Sequence, residues 1–156
     1  MSVVRVSFGD ETWRLASLGD VAALHRVADL LLDGDSGDLA YDGQRARAFA
    51  LALEGRLDDA LARLDDGRTD DWPFPAILAA DIGRVRFLAG DYERSLDALA
   101  SAVRGAERVD PAVADLVSDV AAREPRLRRR AIKVLLAGGS SWQRLRNAAA
   151  AAASRD

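Results

Sequence analysis

Four helix-breaking signals recur along the chain at nearly equal intervals: Gly19, Gly55, Gly90 and the Glu124-Pro125 pair stand 36, 35 and 34 residues apart. Each separates two segments whose apolar residues fall at helical spacing. The clearest copy covers residues 80–104. Gly90 ends a first helix in a left-handed conformation that costs glycine little, Asp91 caps the next, and Leu96, Leu99, Ala100 and Val103 form its stripe. One period earlier, a helix over residues 45–54 carries Phe49, Leu51 and Leu53, and Gly55 leads to a second with Leu57, Ala60, Leu61 and Leu64. A weaker copy opens at Gly19-Asp20, with Leu24, Val27, Leu30 and Leu31. In the fourth, Asp110-Pro111 starts a helix with Val113, Leu116, Val117 and Val120. Pro125 then sits in the first turn of a helix carrying Leu127, Ile132, Leu135 and Leu136, which Gly138-Gly139 ends. A period of 34–36 residues belongs to stacked helix pairs. The expected fold is all-α, with antiparallel pairs stacked as a short right-handed solenoid over residues 19–137.

Three stretches fall outside the repeat. In residues 1–18, Val4, Val6 and Phe8 alternate with polar residues, Gly9-Asp10 is a turn signal, and Thr12, Trp13 and Leu15 follow. That pattern suits either a small β-hairpin or an extended arm leading into a helix from about Asp10. Between the second and third copies, Asp65-Asp66-Gly67, Asp70-Asp71 and Trp72-Pro73-Phe74-Pro75 read as an extended linker, with Trp72 and Phe74 plugging between helix pairs. Residues 138–156 read as a capping helix that starts at Ser140-Ser141, carries Trp142, Leu145 and Asn147, and runs into Ala148–Ala153. The whole chain of 156 residues is expected to be one domain.

Composition bounds the chemistry. There is no cysteine, which removes disulfides, thiolate metal sites and a cysteine nucleophile. No apolar run reaches the roughly 20 residues that span a bilayer, and the N-terminus lacks the basic-then-apolar order of a secretory signal. A cytoplasmic protein that does not enter the membrane is expected. The net charge of −3 argues against nucleic acid as the partner. Residues 1–75 hold 15 acidic and 8 basic groups, a net of −7, whereas residues 76–156 hold 10 and 14, a net of +4. This asymmetry suits either two solvated faces or the steering of a charged partner.

The single histidine, His25, lies on the first repeat helix with no nucleophile or orienting carboxylate signalled beside it, so it reads as structural or exposed. The pairs Asp58-Asp59, Asp65-Asp66 and Asp70-Asp71 read as helix caps and solvated groups. Asp33, Asp35 and Asp38, with Gly34 and Gly37, fail as a calcium loop, because the twelfth position is Gln44 rather than a bidentate glutamate. Gly138-Gly139-Ser140-Ser141 could present backbone N–H groups to an anion but lacks the lysine of a phosphate loop, so it reads as an interhelical linker. Arg126, Arg128, Arg129, Arg130 and Lys133 form a basic patch on one helix, suited to a partner protein or to intramolecular ion pairs, and it lacks the aromatic side chains on which bases stack. No metal and no cofactor are expected.

Residues 76–109 resemble a tetratricopeptide repeat (TPR): Ile82-Gly83, Gly90-Asp91-Tyr92, Leu99 and Ala102 stand at that family's consensus positions, and Ser95 replaces its usual alanine. Residues 41–75 resemble it through Ala48, Gly55, Leu57, Ala60 and Leu64, although Arg47 stands where the family prefers leucine, and both copies lack its first-helix tryptophan. The resemblance implies a concave groove lined by the first helix of each pair: Arg45, Phe49 and Ala52, then Ile77, Ala80, Arg84 and Phe87, then Ala114 and Ser118. It thereby implies a non-catalytic adaptor that binds a protein or peptide. The arginine forks of Arg45 and Arg84 suit an acidic or C-terminal segment, with Phe49 and Phe87 beside them. At this level both arginines could equally be ordinary helix residues, and both phenylalanines core. Two other classes remain open: a regulatory module that senses a small ligand or self-associates through the C-terminal helix, and an enzyme assembled from scattered Asp, Arg and Trp.

Overall fold

In the computed structural model, which describes residues 8–34, 39–66 and 75–153, the same helix-stop geometry recurs at Gly19, Gly55 and Gly90, with φ of 69°, 79° and 79°. At each, the glycine N–H donates three residues back and the next N–H five residues back: Gly19 to Ala16 and Asp20 to Leu15, Gly55 to Ala52 and Arg56 to Leu51, Gly90 to Phe87 and Asp91 to Arg86. These bonds use carbonyls that the helix end would leave unsatisfied. A side chain at such a φ is strained, so the glycines set the pitch of the chain.

Among the described residues every element is helical: α1 (Phe8–Ser17), α2 (Val21–Leu32), α3 (Ala40–Leu53), α4 (Leu57–Asp66), α5 (Pro75–Leu88), α6 (Tyr92–Val103), α7 (Pro111–Arg123), α8 (Arg128–Leu136) and α9 (Ser141–Ala153). One turn of 3₁₀ helix (Pro125–Leu127) leads into α8. The starts follow the capping signals. The Asp20 carboxylate accepts from Ala23 N at 3.0 Å, that of Asp91 from Arg94 N at 3.4 Å, and that of Asp110 from Ala112 N at 2.9 Å ahead of Pro111. The fourth break is not a glycine turn. Glu124 has φ −129°, its N–H closes on Val120, and the proline-led 3₁₀ turn redirects the chain.

The chain divides into two compact units, Met1–Trp72 and Pro73–Asp156. In the first, α3 lies against α1, α2 and α4. Nine of its residues are buried, and Phe49 is at 0 % exposure, edge-on to Trp13 with ring centroids 5.5 Å apart. Of the two readings of the N-terminal stretch, the β-hairpin is not seen among the described residues, and the helix expected from about Asp10 is present from Phe8. Gly9 and Asp10 lie within α1, and Thr12 and Ala16, four residues apart, are buried on one helical face. The alternation at residues 8–15 is outweighed by this four-residue spacing, because α1 has a helix to pack on. Val4 and Val6 lie outside the described residues, as do Asp35, Asp38, Asp70, Asp71, Trp72, Pro73 and Phe74. Leu30, expected on the α2 stripe, is 76 % exposed, and Ala28 occupies the buried side.

In the second unit α5 pairs with α6, and α7, α8 and α9 pack on one another. The small residues at the α5–α6 crossing are required there. A Cβ on Gly83 would meet Leu99 Cδ2 at 2.6 Å, and Ser95 Oγ donates to Gly83 O at 2.7 Å. The turn before α9 is bonded to the loop before α7. Gly139 N donates to Ala106 O at 2.7 Å, and Gly105 N to Ala137 O at 3.4 Å. The Gln143 amide accepts from Val109 N and donates to Val109 O, both at 3.3 Å. Gln143 N also donates to Ser140 Oγ at 3.2 Å, while Ser140 N donates back to Gln143 Oε1 at 3.4 Å, a reciprocal cap on α9. Gly138 sits so close to Val103 that a Cβ would lie 2.0 Å from its carbonyl oxygen.

Candidate interaction surface

The side chains expected to line a groove are mostly committed elsewhere. Phe49 has no exposed surface and holds the first unit together through Trp13, so it presents nothing to a partner. Ala52, Ala80 and Ala114 are buried as well. Arg45 is 9 % exposed. Its Nη2 donates to Asp42 at 2.8 Å and its guanidinium lies 5.9 Å from the Tyr41 ring centre. Arg84 donates to the fully buried carboxylate of Asp81 at 2.9 Å. Each arginine thus neutralises a carboxylate three residues back on its own helix, where desolvation would otherwise penalise the acid. Phe87 is half-buried, edge-on to Tyr92 at 5.4 Å and 5.8 Å from the Arg123 guanidinium. Ser118 is half-buried on α7 and Ile77 is exposed on α5.

The basic patch divides in two. Arg126 pairs with Glu124 at 3.2 Å and reaches Glu93 at 4.0 Å, and Arg130 pairs with Glu93 at 3.7 Å and with Asp97. Glu93 and Asp97 on α6 are four residues apart, as are Arg126 in the 3₁₀ turn and Arg130 in the first turn of α8, so one acidic and one basic pair face each other. Arg128 is half-buried. Arg129 and Lys133 are exposed on another side of α8, followed one turn later by Leu136 at 43 % exposure.

His25 belongs to a chain of polar contacts that linear proximity did not signal. Arg47 Nη1 donates to His25 Nδ1 at 2.6 Å, and Arg47 Nη2 donates to Asp29. His25 Nε2 lies 3.0 Å from Glu54 Oε1, from 29 residues further along. With a guanidinium donor on Nδ1, the proton of the neutral ring sits on Nε2 and is donated to Glu54. Both ring nitrogens are engaged, and Arg47 bridges His25 to Asp29. Among the described residues no group of three or more His, Asp or Glu is placed to hold a metal ion. In the Gly138–Ser141 turn, the N–H groups of Gly139 and Ser140 are already engaged, by Ala106 O and by the Gln143 side chain.

The surface that stands out is on α9. Its inward side is Asn147 and Ala151, flanked by Gln143 and Ala148. Its outward side carries the two largest apolar residues of the helix, Trp142 at 70 % and Leu145 at 66 % exposure, followed by exposed Ala149, Ala152 and Ala153. Trp142, Leu145, Ala149 and Ala152 are spaced three, four and three apart, which puts them on one helical stripe. A helix normally turns that stripe to the core, and here it faces away from it. The spacing was legible in the sequence, but which side of the helix the fold would cover was not. Among the described residues no helix is long and apolar enough to cross a membrane. The chain matches no protein-family model, no curated protein and no solved structure.

Proposed function

We propose that this chain is a non-catalytic, tetratricopeptide-like module of stacked helix pairs that binds a protein partner, and that it does so by docking a partner helix on the outward stripe of α9. The observation that carries this reading is the inverted polarity of α9: Trp142 and Leu145 in solvent, Gln143 and Asn147 toward the unit. Burying a side chain of that size is worth about 1.5–3 kcal/mol. A fold that leaves two of them outside on one stripe reserves that gain for another molecule. The alanines one and two turns further on let a second helix approach closely, as small residues do at helix crossings. The recurrence of the glycine stop at residues 19, 55 and 90 supports the repeat kinship. Engagement of both nitrogens of the only histidine supports a non-catalytic role, because a ring so held has no free lone pair with which to act as a base.

Selection from a display library of random helical peptides, with the full chain as bait, tests this. The expected outcome is enrichment of peptides that lose binding when Trp142→Ser and Leu145→Ser are combined, with helical content and thermal midpoint unchanged. Enrichment that this variant leaves intact overturns the α9 reading. If binding instead responds to Ile77→Ser, at an exposed position of α5, the α5 side is the surface.

A further inference from the structure

The chemistry around the α9 stripe restricts what covers it. Between Arg128 and Ala153 there are six basic residues and no acidic one. Arg130 is held by Glu93 and Asp97 of α6, while Arg129, Lys133, Arg144 and Arg146 are exposed. Arg146 is one turn after Trp142 and so borders the stripe directly, and on α8 Arg129 and Lys133 stand one turn apart ahead of exposed Leu136. From these observations, and resting on the reading of α9 as a docking face, we propose that the occupant is an acidic amphipathic helix of another protein: apolar residues along the stripe and Asp or Glu on its flanks, met by Arg146 beside the stripe and by the positive charge of α8 and α9 as a whole, to which exposed Arg129 and Lys133 contribute.

Two other occupants fit less well. A second copy paired antiparallel through α9 would place Trp142 over Ala152, which suits large against small. It would also bring Arg146 against its own counterpart near the two-fold axis, between two hairpins of like charge with no acid on either to relieve it. An anionic lipid surface would accept the basic residues and Trp142. Yet the stripe beyond Leu145 is alanine, and interfacial binding scales with the apolar area inserted.

Three features of the selected peptides and of the chain decide the matter. Peptides dependent on the stripe should carry a clear excess of Asp and Glu beside their apolar positions. Their affinity for the full chain should fall about tenfold between roughly 50 and 200 mM salt, since exposed charge pairs are screened over that range. The variant Arg129→Glu with Lys133→Glu and Arg146→Glu, all exposed positions, should select basic helices instead. Stripe-dependent peptides without acidic excess, or with salt-independent affinity, overturn the acidic partner and leave the docking face standing. A concentration-dependent dimer in sedimentation, abolished by Trp142→Ser with Leu145→Ser, overturns it in favour of a second copy. Stripe-dependent binding to phosphatidylserine vesicles overturns it in favour of lipid. No stripe-dependent ligand of any kind overturns both proposals together.

Discussion

Helices α3 and α9 are both rich in alanine and close in length, and the fold uses them in opposite ways. In α3, Ala46, Ala48, Ala50 and Ala52 are all buried, because α1, α2 and α4 surround the helix. In α9 only Asn147 and Ala151 are buried, because α7 and α8 cover one side. Alanine in α3 is a spacer that lets three helices close on a backbone, with Phe49 filling what remains. Apart from buried Ala151 and half-buried Ala148, the alanines of α9 are surface. Burial follows from how many neighbours the chain order brings to a helix, and composition alone does not separate the two cases.

That contrast can be broken most forcefully at its two large aromatic positions. Phe49→Ala should cost about 4 kcal/mol in denaturant unfolding, as for other emptied aromatic core sites, whereas Trp142→Ala should stay within about 0.5 kcal/mol, as for surface substitutions. Comparable losses at both would mean that α9 is covered in the isolated chain. Gly138→Ala comes next. Its Cβ would have to displace Val103 O from 2.0 Å, and an overpacked site of this kind loses about 2–3 kcal/mol. Amide exchange should then accelerate in α9 while α3 keeps its protection. Equal loosening of both helices would show that α9 is not seated by this turn. The smallest effect lies on α7, which also faces solvent on one side but does so with charge. Burial, more than the neighbouring Asp115, pushes the Asp119 carboxyl above its ordinary 3.8, with Arg123 opposing. A raised carboxyl favours the fold in its protonated form, so that stability is present at low pH and is lost as pH rises through the folded value. Asp119→Asn should therefore raise the thermal midpoint slightly at pH 7 and leave it unchanged near pH 3. A lower midpoint at pH 7 would reverse the assigned sign.

Much of the local architecture was legible because its causes are local. The glycine stops at 19, 55 and 90, the caps at Asp20, Asp91, Asp110 and Ser140, and the small residues Gly83 and Ser95 each act within a few residues or across one helix pair. What was not legible depends on distant neighbours. Periodicity puts Leu30 and Leu136 on apolar stripes, yet both end up exposed where no helix covers them. Position within a repeat puts Phe49 on an open wall, but Trp13 closes over it. The Asp29–Arg47–His25–Glu54 chain is assembled from α2, α3 and the C-cap of α3, and leaves no trace in linear spacing. The proposed docking face was half visible: the stripe could be read, its orientation could not.

The hydrogen bonds that tie the start of α9 to the loop before α7 bear on what a partner would encounter. Since Gln143 clamps both backbone atoms of Val109 and Gly139 is fixed to Ala106, the first turn of α9 is anchored at its base. Trp142 and Leu145 stand on that anchored turn, whereas the alanines extend beyond it. An incoming helix would meet its two strongest contacts already in place, with little ordering entropy left to lose on association. The alanine end could adjust to it afterward, in the way a hinged jaw closes from its fixed side.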